Sequence, residues 1–258
     1  MKIFFVGDIV GEPGREILKE KLPDFIKENR INFVIANAEN AAGGKGLTDK
    51  VAEEIFSSGV NVITLGNHTF ARKEIELIIN DKRILRPANY PPEVPGNRYG
   101  IYYVEGFTSP VGVINFMGRV YMPLLDCPFR TSEEIIKEIS KETKIIVVDF
   151  HAEITSEKLA FGWFLDGKVS AVIGTHTHVQ TADERILPQG TAYITDCGMA
   201  GPKDGIIGMD KEIVLKRYLT AMPFRFVVSK GDNILNGCII EIDEITGKAT
   251  DIKRISYV

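Results

Sequence analysis

Two apolar patterns alternate along the first half of the chain. Lys2–Val6 is a short, unbroken apolar run, the pattern of a buried strand, and it ends at Gly7-Asp8. Pro13 then suits the first turn of a helix, and Ile17, Leu18, Leu22, Phe25 and Ile26 recur at helical spacing. Asn32–Asn37 predicts a second strand, followed by a loop of small residues, Ala38–Gly46. Thr48 or Asp49 caps the next helix, which carries Val51, Ile55 and Phe56 and ends at Gly59. Asn61–Leu65 predicts a third strand, and Arg72–Ile79 a helix.

Arg86–Gly100 holds four prolines and two glycines and is read as a loop. Ile101–Val104 and Val111–Phe116 predict antiparallel strands joined by a turn near Thr108–Pro110, and Gly118–Thr131 predicts another loop. The alternation then resumes with a helix at Ser132–Lys141, a strand at Lys144–Asp149, a helix at Ser156–Phe164 and a strand at Val169–Ile173. Thr191–Thr195 predicts a strand and Lys211–Leu219 a helix. Phe224–Val228, Leu235–Ile242 and Ile252–Tyr257 form a β-rich end, with a hairpin turn at Glu244–Gly247. This order predicts an α/β protein with a mixed sheet, or two sheets packed together. No repeat or long linker divides residues 1–258, so a single domain is expected.

Composition narrows the function. The 258 residues are 44% hydrophobic and 26% charged, ordinary for a globular protein. A net charge of −4 and a pI near 5.7 argue against a broad electrostatic grip on duplex nucleic acid, but leave room for a small anion held by metal ions. No apolar stretch approaches the ~20 residues of a membrane helix, and Met1–Asp8 lacks a secretory apolar region. Cys127, Cys197 and Cys238 form no CxxC pair and suit a reducing compartment. A cytoplasmic location without a membrane partner is expected.

The candidate chemistry sits where apolar runs end. All four histidines lie there: His68, His151, His176 and His178. So do Asp8, Glu39-Asn40 and Asn67. Ligands of α/β sheets bind at the carboxyl ends of strands, where this order puts them. Carboxylate, amide and imidazole donors without thiolate suit iron, manganese, zinc or cobalt. Asp8, Glu39, Asn40, Asn67, His151, His176 and His178 exceed one tetrahedral site and suit two metals sharing a carboxylate, roughly 3.5–4 Å apart, able to clamp a phosphate. Each residue also has an ordinary reading: a turn at Gly7-Asp8, a loop carboxylate at Glu39, a surface imidazole at His68, a satisfied core histidine at His151. His176-Thr177-His178 is the strongest single signal, because alternation in an extended segment puts both rings on one side.

The order Asp8, Glu39-Asn40, Gly66-Asn67-His68, His151, Gly174-Thr175-His176-Thr177-His178 resembles the calcineurin-like metallophosphoesterases over roughly residues 1–180. It departs from them twice: Val10 stands where a histidine is usual, and Glu39-Asn40 where an aspartate bridges the metals. With those departures, GDIVGEPGR, ANAENAAGGKGLT, TLGNHTF and CGMAGPKDGIIGMDKE are similar to the bacterial YmdB-type phosphodiesterases over nearly the whole chain. The resemblance implies a four-layer α/β/β/α sandwich with two packed mixed sheets. It also implies a di-iron site, with manganese or zinc as other candidates, homo-oligomerisation, and activity on cyclic nucleotides, notably 2′,3′-cyclic ones and also 3′,5′-cyclic AMP. Carried over by position, Asp8 and His178 hold one metal, Asn67, His151 and His176 the other, and Glu39 bridges them. Asn40 is the candidate to replace the ligand that Val10 cannot supply. Its other reading is a hydrogen bond to Glu39.

His68 stays free beside the phosphate as the general acid, protonating the leaving ribose oxygen while a metal-bridging hydroxide attacks. A phosphomonoesterase or single-strand nuclease using the same metals, and a non-enzymatic metal-stabilised regulator, remain open. Among weaker features, Gly43-Gly44-Lys45-Gly46 reads as a loop near the site. Lys203-Asp204-Gly205 sits in a Gly/Pro-rich loop expected to line the pocket, Arg119 is expected to be a solvated arginine, and Phe161, Trp163 and Phe164 to pack a helix.

Overall fold

The computed structural model describes residues 1–258. The first part of the chain forms β1 (Lys2–Val6), β2 (Asp8–Ile9), α1 (Gly11–Asn29), β3 (Phe33–Asn37) and α2 (Asp49–Ser57). It continues through β4 (Val62–Thr64), a 3-10 helix at Lys73–Leu77, β5 (Ile84–Leu85), β6 (Tyr99–Tyr102) and β7 (Val111–Met117). Next come α3 (Pro128–Ile139), β8 (Ile145–His151), α4 (Thr155–Leu165), β9 (Ala171–Thr175) and β10 (Arg185–Ile186). The chain ends with β11 (Ala192–Ile194), β12 (Met199–Pro202), α5 (Lys211–Thr220), β13 (Asn233–Ile242) and β14 (Ala249–Tyr257).

Two mixed sheets result. One has the order β2-β12-β13-β1-β3-β4-β5, with β14 also on β13; the other runs β10-β11-β9-β8-β7-β6. Neighbouring residues of one strand serve different layers, which explains the unbroken apolar runs. In β1, Phe4 and Val6 face α1, meeting Ile17, Leu18 and Phe25, whereas Ile3 and Phe5 face the second sheet. In β8, Ile145 and Val147 point between the sheets, while Ile146, Val148 and Phe150 pack on α3 and α4. Three separate apolar layers therefore bind helices, sheet, sheet and helices into the expected four-layer sandwich. No helix is long and apolar enough to cross a membrane.

The structure departs from the sequence reading at several points. Arg72–Ile79 contains a short 3-10 turn rather than an α-helix. Gly118–Thr131 is not loop throughout, because α3 begins at Pro128, a favoured first-turn residue. Phe224–Val228 forms no strand; its one ladder contact is an isolated bridge from Val228 to Met209. Conversely, Met199–Pro202 is a strand that its small residues had concealed. It lies between β2 and β13, and α1 crosses it so closely that a Cβ on Gly14 would strike the Ala200 carbonyl.

Candidate metal centre

The carboxyl ends of β1, β3, β4, β8 and β9 converge on one cavity of about 790 Å³. Asp8 lies on the two-residue strand β2, Glu39 and Asn40 just past β3, and Asn67 and His68 past β4. His151 ends β8, and His176 and His178 follow β9. Six of the seven expected ligands, all but His178, are linked by contacts of 3.4 Å or less through Glu39 and His151 or through the His176 peptide, as follows. His151 Nε2 lies 3.0 Å from Glu39 Oε1, 3.1 Å from Asn67 Oδ1 and 3.0 Å from His176 Nδ1. Asn40 Nδ2 reaches Glu39 Oε1 at 3.4 Å. The His176 peptide N–H donates to Asp8 Oδ2 at 3.0 Å. His178 closes the group through Asn40 Nδ2, 3.1 Å from its Nε2.

Partners on the far side of each ring decide which nitrogen faces inward. His178 Nδ1 is 2.9 Å from the Ile207 carbonyl, which only accepts, so Nδ1 carries the proton and Nε2 faces Asn40 with its lone pair. His176 Nε2 sits 3.0 Å from Glu153, which fixes its proton outward and aims Nδ1 at the centre. His151 Nδ1 donates to Thr175 Oγ1 at 2.8 Å, and Thr175 in turn donates to Asp149 Oδ1 at 2.7 Å. Such outer partners are what orient metal-binding imidazoles.

The centre therefore gathers imidazole nitrogens around two buried carboxylates, Asp8 and Glu39. Asp8 Oδ1 is fully buried and has no hydrogen-bond partner. Burial raises the Asp8 pKa, with His178 and His151 opposing. Burial alone would lower His151, but the Glu39 charge and its hydrogen bond outweigh it and hold His151 raised. Burial and the adjacent His151 push His176 down to about 3. Glu39, His151 and His176 can each offer one atom to a shared ion, all within 4.8 Å of one another. These residues fit a bound cation.

The route to this geometry differs from the extended segment expected at His176-Thr177-His178. Both histidines adopt left-handed backbone, with φ of 102° and 64°, so a tight double turn rather than alternation aims the rings. Asp196 holds that turn by accepting from the Thr177 N–H and hydroxyl, and the buried Lys158 binds Asp196 and the Thr175 carbonyl, each at 2.7 Å. Ile207 has φ of 48°, costly for a β-branched residue, and that strain points its carbonyl at His178.

The sequence reading missed Glu153, Asp149, Asn37, Lys158 and Asp196. Two carried a signal: Asp149 and Asn37 stand two residues before His151 and Glu39, and Asn37 Nδ2 donates to Asp149 at 3.0 Å. The Gly/Pro-rich loop that holds Lys203-Asp204-Gly205 does line the cavity, through Ile207 and Met209. Gly43, Gly44 and Lys45 do line the cavity, and Arg119 is exposed. Phe161 stacks on Phe150 with centroids 4.1 Å apart, and Phe164 packs on Phe129, while Trp163 is half exposed.

The profile of YmdB-like proteins matches residues 4–255 of this sequence. The chain belongs to the YmdB-like family. A 2′,3′-cyclic-nucleotide 2′-phosphodiesterase of Bacillus subtilis (strain 168) is 53% identical over 256 residues, covering 99% of this chain and 96% of that protein. A crystal structure described as a novel phosphatase from Mycoplasma pneumoniae superposes with a TM-score of 0.93 at 38% identity, covering 100% of this chain and 93% of the other. A 5′-nucleotidase from Candida albicans shares the fold, at a TM-score of 0.59 and 13% identity, over 99% of this chain and 50% of the other.

Proposed function

We propose that this chain is a metal-dependent phosphoric diester hydrolase that opens nucleoside 2′,3′-cyclic phosphates to 3′-monophosphates. The observation that carries the reading is the inward convergence of three imidazole nitrogens on Glu39 and the unpartnered Asp8 Oδ1, with a separate imidazole, His68, in the same cavity. The sequence of the Bacillus subtilis phosphodiesterase supports the substrate class. Asp8, His178 and Asn40 would hold one cation, Asn67, His151 and His176 the other, with Glu39 shared; iron is the expected ion, and manganese or zinc suits the same donors. When bound, the cations supply Lewis acidity, polarising phosphoryl oxygens and making water acidic enough to act as nucleophile near neutral pH.

The protein's own groups do the rest. Lys45, Arg72 and Arg225 line the cavity and draw in an anion. The His68 peptide N–H donates to Glu39 Oε2 at 2.7 Å, which fixes the residue's backbone beside the centre while its ring stays in the cavity. Burial lowers the His68 pKa, with Glu39 opposing and Lys45 reinforcing. An anionic substrate beside the ring works the other way and favours the imidazolium. Water adds across the P–O2′ bond: a new P–O bond forms as P–O2′ breaks, and His68 delivers the proton that the departing 2′-oxygen needs.

The test compares purified wild type and His68→Ala on 2′,3′-cyclic AMP, 3′,5′-cyclic AMP and a phosphomonoester, with metal content measured for both. Two metals per chain are expected. His68→Ala should retain them and lose roughly 10²–10⁴-fold in turnover of the diesters. Undiminished turnover would overturn the acid assignment, and fewer than two metals under replete conditions would overturn the dinuclear site. Hydrolysis of the phosphomonoester alone would replace the reading with a phosphatase.

A further inference from the structure

The cavity is walled on most sides by the candidate ligands, a glycine-rich loop and cations. Its apolar part consists of Ala71, Ile207, Met209 and Phe226, and Phe226 supplies the one phenyl ring. We infer that Phe226 is the platform on which the substrate's nucleobase stacks, setting a preference for nucleoside over base-free cyclic phosphates. The inference rests on the cyclic-nucleotide reading above and deepens it.

Three observations support it. Phe226 is 41% exposed although it is a large apolar side chain, and it lines the cavity that holds His68. Its ring is braced rather than loose, because the Arg217 guanidinium lies 4.8 Å from the centroid. A cation over one face leaves the rest of the ring to receive a flat heterocycle.

The third observation is how the segment is anchored. It lies outside both sheets, yet Asp210 N–H donates to the Val227 carbonyl at 2.8 Å and Ser229 N–H to the Gly208 carbonyl at 2.9 Å. Those bonds tie Phe226 to the loop whose Ile207 carbonyl orients His178. The platform and a candidate metal ligand are thus hung on one piece of backbone, which fixes the reach from base to phosphate. The nearby aromatic pair does not compete for this role. Phe70 and Tyr90 meet edge to face, 5.6 Å apart, and line a separate groove.

The experiment measures kcat/KM for 2′,3′-cyclic AMP and for glycerol 1,2-cyclic phosphate, and takes their ratio. Phe226→Leu keeps apolar bulk but removes the ring, and should lower that ratio on the order of tenfold, within the usual range for base–aromatic stacking. Phe226→Tyr should keep it. Calorimetric titration with adenosine 3′-monophosphate should show weaker binding to Phe226→Leu and unchanged binding to Phe226→Tyr. If the wild type turns over 2′,3′-cyclic AMP and Phe226→Leu leaves the ratio unchanged, the inference is overturned while the function stands. The same holds if Phe70→Leu lowers the ratio instead. If the wild type hydrolyses neither cyclic phosphate, both readings fail together.

Discussion

A methyl group on Gly66 would collide with the His151 ring and lie 2.5 Å from Glu39 Oε2. The glycine of the Gly-Asn-His motif is therefore there for close approach: it lets the loop bring Asn67 and His68 against two other ligands. Gly66→Ala is expected to cost about 1–3 kcal/mol through overpacking and to reduce bound metal, as read by urea denaturation and metal analysis. His151 gives a pH prediction for the metal-stripped protein. Burial opposes its charge, but Glu39 prevails and holds it raised from 6.5 to about 9. A folded pKa above the unfolded one stabilises fully below pH 6.5, and that contribution is lost as pH rises through about 9. The thermal midpoint of stripped protein should fall between pH 7 and 9.5, and His151→Gln should flatten that slope. An unchanged slope in the variant would assign the pH dependence elsewhere.

Among the elements, α4 does more than cover the second sheet. It carries Lys158, fully buried, whose ammonium binds the Thr175 carbonyl and Asp196 at the base of the His176–His178 turn. Lys158→Met leaves Asp196 as a buried charge without its cation, a loss expected at about 3–5 kcal/mol, together with weaker metal binding. Adding Asp196→Asn should recover part of that stability, a comparison made by denaturant titration of both variants. The legibility of elements followed their composition. The apolar runs of β1, β3, β7 and β8 were plain, because strands buried on both faces are apolar over most of their length. β12 was not, because Met-Ala-Gly-Pro is small in order to let α1 and β13 approach, and small residues look like a loop. Phe224–Val228 failed the opposite way: its residues have β propensity, but no neighbouring strand is available to pair with them.

At the scale of the molecule, two sheets of different strand order deliver their carboxyl ends to one edge. Glu39 and Asn67 come from the first sheet, His151 and His176 from the second, so a bound cation would bridge halves that also meet through a buried apolar layer and through polar contacts such as Asn37 with Asp149. Because such a cation binds the folded arrangement, it should raise stability by mass action, about 2.7 kcal/mol at a hundredfold excess over its dissociation constant. Chelation should lower the melting temperature, metal should restore it in a concentration-dependent way, and Glu39→Gln should remove most of that response. A melting temperature indifferent to chelator would argue that the site contributes nothing to holding the sheets together.

The sequence by itself determined most of the elements and their order, and it marked seven candidate donors at the ends of predicted strands, because periodicity and residue chemistry are local properties. The resemblance to a family added an expectation of which donors act together. Only the tertiary structure decided how the donors are aimed. The left-handed turns at His176 and His178, the Ile207 carbonyl, Glu153 and the Thr175–Asp149 chain each fix a ring nitrogen through a contact that no local pattern encodes. Likewise, the role inferred for Phe226 follows from a segment that could not find a sheet and came to rest against the cavity instead.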